Sequence, residues 1–183
     1  MLVISLTTHL AALPTEWGSV TLAQAAQLAT LGDEATMQAC LAVLLDCSPE
    51  ELLQLAPKHL RRALSALLFL SEPVPDLTSF ERPTSILLGD VEVPILSTLE
   101  ELTFGQAADI GALIQEHANN VAQLRIPVLA TILQPAYDGS GYDSDKALEL
   151  EQLCGTVKLR HALPLTDFFL PSSTASVAAT PPT

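Results

Sequence analysis

Val20-Thr21-Leu22-Ala23-Gln24-Ala25-Ala26-Gln27-Leu28-Ala29-Thr30-Leu31 is answered 82 residues later by Leu102-Thr103-Phe104-Gly105-Gln106-Ala107-Ala108-Asp109-Ile110-Gly111-Ala112-Leu113. Thr, Gln, Ala-Ala and the final Leu stand in register. In each stretch Thr is a candidate N-cap with Gln three residues on. This spacing is a capping box: the hydroxyl accepts from the N3 amide, and Gln reaches back to the N-cap amide. Two helix starts are thereby predicted at equivalent points of two related units.

The similarity continues outward. Arg62-Ala63-Leu64 precedes Phe69-Leu70 as His161-Ala162-Leu163 precedes Phe169-Leu170, and Gln54-Leu55 parallels Gln152-Leu153. The offset drifts from 82 residues at the capping boxes to 100 at the Phe69/Phe169 pair, so the second unit carries insertions. Pro135-Ala136-Tyr137-Asp138-Gly139-Ser140-Gly141-Tyr142-Asp143, rich in turn formers, is where they are expected. Within the first unit, Ser48-Pro49-Glu50-Glu51 is a third capping box with Pro at N1. Pro57 starts another helix, whose Leu60, Ala63, Leu64, Leu67 and Leu68 form one apolar stripe with Arg61 and Arg62 off it.

Between the units, Pro73, Pro75 and Pro83 exclude a continuous helix. Ser85 to Ile95 reads as a β-hairpin turning at Gly89-Asp90. The stretch Leu2 to Leu6 is the candidate third strand, since a lone hairpin is marginal in water. The expected fold is mainly α with a minor β element. Residues 1–171 form a single compact domain: a helical unit at 15–71, a hairpin linker at 72–98 and a helical unit at 99–171. Residues 172–183, rich in Ser, Thr, Ala and Pro, read as a disordered tail.

Composition narrows the function classes. Apolar residues make up 49% of the 183, aromatics only 4%, so the core is Leu, Ala, Val and Ile, which favours helix. Eight Lys and Arg against 21 Asp and Glu leave a net charge of −13. The one basic cluster is Lys58, His59, Arg61 and Arg62, too little for a phosphate-tracking surface or an anionic membrane. Met1 to Leu6 lacks the basic start of a signal peptide, and no run of 18 apolar residues spans a membrane. Cys40, Cys47 and Cys154 form no CxxC. Two helical turns hold the first two about 10 Å apart, too far for a disulfide. Buried free thiols in a reducing compartment, and so a cytoplasmic location, are expected.

No catalytic motif is present: no GxSxG, HExxH, P-loop or GxGxxG. His9, His59, His117 and His161 are dispersed without zinc-ligand spacing. An EF-hand loop counted from Asp138 puts Ser140, Tyr142 and Asp143 where oxygen, oxygen and glycine are required, so that pattern fails. Glu100-Glu101 precede a helix start, where acids complement the dipole. No cofactor, metal or catalytic residue is expected. The candidate partner-binding residues are the aromatics beside loops, Trp17, Tyr137 and Tyr142, since exposed aromatics commonly anchor interfaces.

The order Leu13-Pro14, Trp17, Val20-Thr21-Leu22 and Gln24 resembles the opening of small proteins encoded in the tail modules of tailed phages. Leu102-Thr103-Phe104-Gly105-Gln106, the run from Pro127 to Asp138, and Phe168-Phe169-Leu170 resemble later segments of the same proteins. The resemblance covers residues 13 to 171. Gln134 departs from it, standing where the pattern has an aromatic and basic pair. The resemblance implies a non-enzymatic tail-assembly chaperone or small structural component, with a protein partner and host-cytoplasmic or virion-associated location. The alternative is an acidic nucleic-acid mimic that inhibits a host or defence protein. Such a mimic needs ordered rows of carboxylates, whereas the acids here are thinly spread.

Overall fold

Each capping box predicted from sequence closes in the computed structural model, which describes residues 10–32, 35–76, 79–117 and 120–168. Thr21 Oγ1 accepts from the Gln24 amide at 3.2 Å and Gln24 Oε1 accepts from the Thr21 amide at 3.1 Å. Thr103 and Gln106 exchange the same bonds at 3.3 and 3.0 Å. Ser48 and Glu51 do so at 3.2 and 2.8 Å. These caps begin α1 (Leu22–Leu31), α5 (Phe104–Glu116) and the one-turn α3 (Pro49–Leu52). The remaining helices are α2 (Met37–Leu45), α4 (Pro57–Ala66), α6 (Val121–Asp138), α7 (Ser144–Cys154) and α8 (Leu159–Thr166). Short 3-10 segments lie at Trp17–Ser19, Leu67–Ser71 and Leu99–Glu101. The fold is mainly helical with one small sheet.

That sheet is the expected hairpin. β1 (Ser85–Leu88) pairs antiparallel with β2 (Val91–Pro94), and Leu88 faces Val91 across Gly89-Asp90. Gly89 takes φ +59°, the left-handed conformation that such a two-residue turn needs. Ile86, Leu88 and Val93 are buried, and β2 packs on α6. The proposed strand at Leu2 to Leu6 and the tail at 172–183 lie outside the described residues.

Four helices follow each of the repeated capping boxes. In the first unit α1 packs on α2, and α2 on α3 and α4. In the second α5 packs on α6, and α6 on α7 and α8. Ala63 and Ala162, matched in the two sequences, are both buried. The two cap glutamines also share a second task. Gln24 Nε2 donates to Leu44 O at the end of α2, at 3.0 Å. Gln106 Nε2, fully enclosed, donates to Thr131 O at 2.8 Å and Ile132 O at 3.3 Å in α6.

The Gln106 bond explains the largest departure from the sequence reading. Pro135 to Asp138 do not form the expected loop but complete α6, and only residues 139–143 connect it to α7. Pro135 has no amide, so it cannot bond Thr131 O, the carbonyl four residues back. Gln106 supplies the missing donor. Helix α6 can therefore run through the proline while burying Leu124, Val128, Leu129, Ile132 and Leu133. Gln134, the departure from the phage pattern, is buried beside it. Its Oε1 accepts from the Asp143 amide at 2.9 Å and its Nε2 donates to Asp138 at 3.1 Å, pinning the short loop.

Two smaller corrections have equally local causes. Cys47 is not in the helix of Cys40, because α2 ends at Leu45 and Asp46 turns left-handed at φ 49°. Both thiols are half-buried; only Cys154 is buried, and all three are free. Leu68 falls off the apolar stripe because the chain tightens to 3-10 winding at Leu67. Each residue then advances about 120° rather than 100°, so Leu67 and Phe69 are buried and Leu68 is 70% exposed.

The units are locked by their distant ends. Leu22 and Ala23, which have no carbonyl partner within α1, donate to Val157 O and Gly155 O at 2.9 Å each, and Leu159 donates back to Val20 O at 2.8 Å. Arg160 donates to Gly18 O at 3.1 Å and to Glu16 and Ser19. Helix α1 thus lies on α6 and α8. Replacing Gln106 by Leu should orphan Thr131 O and lower stability by about 1–3 kcal/mol, read as a fall in the urea midpoint. Gln24→Leu, at a half-exposed site, should cost less.

Candidate functional site

Ala25, Leu28 and Ala29 of α1 and Ala122 and Arg125 of α6 face one hollow that nothing in the described structure fills. With the start of α2, the 3-10 segment Leu67–Ser71 and Val74, they line an open groove of about 670 Å³. Its floor includes Leu159 and the first turns of α6. The lining is apolar, and its large exposed side chains are Met37 (42%), Leu68 (70%) and Val74 (52%). Val74 stands between Pro73 and Pro75, and the second proline disfavours a helical backbone there. Among the described residues the one charged lining residue, Arg125, is paired to Asp167 at 2.8 Å.

Trp17 stands at the edge of this groove. Its ring meets Phe69 edge-on, with centroids 5.4 Å apart, and Nε1 donates to Glu72 O at 3.1 Å. The residue as a whole is half-exposed. The other two aromatic candidates are not brought to it. Tyr137, half-buried on α6, lines a separate cleft with Lys146 and Leu153. Tyr142 lies against Gly105 of α5 and its hydroxyl donates to Asp109 Oδ2 at 2.5 Å.

Met37, Leu68 and Val74 escaped the sequence reading. A Pro-Val-Pro spacer and a methionine directly after the Thr36 cap are the available signals. Leu68 gave a false one, fitting the α4 stripe. Phe104, 90% exposed at the first turn of α5, belongs to no described cavity.

Among the described residues, the ionisable side chains lining the groove are Cys40 and Arg125. Burial raises the Cys40 thiol, so the thiol stays protonated near neutrality. Burial, then Glu51 and Asp46, raises Cys47, and burial pushes Cys154 up to about 12. His161 is lowered by burial and by Arg160 and Lys158, which favours the neutral ring. Asp138 is lowered by the Gln134 bond and by Lys146 at 3.3 Å. Among the described residues, no three His, Cys, Asp or Glu side chains are grouped to hold a metal ion, and no helix is long and apolar enough to cross a membrane.

No protein-family model matches the chain, and no curated protein or solved structure matches it.

Burial, with the Asp109 bond, pushes Tyr142 up to about 12 from its ordinary value near 10. Because the folded state holds this proton more tightly, the stabilisation is complete below pH 10 and is lost as pH rises through 12. Ultraviolet titration should show a phenol ionising near pH 12 that disappears in Tyr142→Phe. Gly105→Ala, whose methyl would sit 2.9 Å from Tyr142 Cδ1, should bring that titration back toward 10.

Proposed function

We propose that this chain is a non-enzymatic protein-binding factor, a tail-assembly chaperone or minor assembly component of a tailed phage, working through the Trp17 groove. The observation that carries the binding role is the groove itself. Met37, Leu68 and Val74 are held open to solvent around an apolar hollow, and contiguous exposed apolar surface of this kind marks interaction sites. The assignment to tail assembly rests on the sequence resemblance over residues 13 to 171. The acidic surface supports the role by keeping a protein with an open apolar groove soluble.

The mimicry reading finds less support. Acids that would have to form rows are spent singly: Glu51 and Asp143 on helix caps, Asp167 on Arg125, Asp109 on Tyr142.

Affinity-tagged chain co-expressed with the tail-module proteins should retain one of them. Leu68→Glu should weaken that capture by about 30-fold or more, as loss of an anchor commonly does, with the helical circular dichroism spectrum unchanged. Turnover of a small-molecule substrate by the purified chain, or capture indifferent to Leu68, would overturn the proposal.

A further inference from the structure

Resting on the protein-binding role above, we propose that the Trp17 groove takes an amphipathic helix whose apolar stripe is flanked by lysine or arginine. The groove is lined from several helical elements, by Leu28 of α1, Met37 of α2, Leu68 of the 3-10 segment and Ala122 of α6. A partner helix lays anchors at i, i+3, i+4 and i+7 into such a hollow. Met37 adds an adaptable wall, since its unbranched thioether repacks around different shapes.

Charge decides the flanks. Among the described residues the only lining cation, Arg125, is neutralised by Asp167. The border beside Trp17 is the segment at 71–76, where Glu72 and Asp76 are exposed. The whole chain carries −13. An acidic helix or an anionic lipid surface meets like charge there, as does a second copy bearing the same border. A helix with basic flanks meets complementary charge, which raises its encounter rate and selects it over other apolar segments.

Trp17 is the sole tryptophan and sits at the groove edge, so its emission reports occupancy of this site in the full chain. Titration with a Leu/Lys amphipathic peptide should shift that emission saturably. A Leu/Glu peptide with the same leucine spacing should bind at least about ten-fold more weakly. Met37→Glu and Leu68→Glu, both at exposed positions, should weaken the Leu/Lys peptide by about 30-fold while the far-ultraviolet spectrum is kept. Each adds an acid, so attraction by charge alone would instead strengthen. Equal binding of the two peptides overturns the proposal, as does Leu/Lys binding indifferent to both variants. Sedimentation as a dimer that Leu68→Glu dissolves would make a second copy the occupant and overturn it too. If Leu68→Glu abolishes capture of the tail component but the Leu/Lys peptide does not bind, the groove keeps its role and the basic partner falls.

Discussion

Two backbone amides at the start of α1 hold the molecule together. A helix leaves its first N–H groups without internal partners. Here Leu22 and Ala23 hand theirs to Val157 and Gly155, more than 130 residues away. Gly155 allows the approach, since a Cβ there would stand 3.3 Å from the Ala23 Cβ. With Arg160 bound to Gly18, the opening of the first helical unit is fastened to the start of the last helix of the second. The groove depends on this fastening. Ala25, Leu28 and Ala29 of α1 and Leu159 of α8 all line it, so the same short ladder positions them.

The cap glutamines extend that logic inward. A capping box normally uses only the glutamine oxygen. Here the nitrogen of each glutamine continues to a carbonyl of the following helix, at Leu44 and at Thr131. One side chain therefore sets both where its helix starts and how the next helix lies on it. The Thr131 case also lets α6 carry Pro135 through the core. The parallel does not extend to the contacts between units. Helix α1 packs on α6, whereas α5 has no comparable packing on α2. That asymmetry leaves an open apolar face in the first unit only where α1 and α2 meet the 3-10 segment.

An exposed apolar groove is tolerable in a chain of this charge. Repulsion between copies opposes the self-association that the hollow would otherwise invite. In the binding role proposed above, the same acids would bias which partner segment is admitted.

Local chemistry made much of the fold legible in the sequence. The three capping boxes, Pro57 at a helix start and Gly89-Asp90 at a hairpin turn are interactions within four residues, so their signals are complete in the chain itself. The helical core follows from the same short-range patterns and the Leu/Ala composition. What depended on partners distant in sequence was hidden. Pro135 looked like a loop because its rescue comes from Gln106, and Tyr142 looked free because Asp109 holds it from another helix. Leu68 looked buried because 3-10 winding at Leu67 leaves no clear mark in the residue pattern. The groove was invisible for the same reason: it is the space left after α1 is drawn onto α8, and only tertiary packing decides which apolar side chains remain uncovered.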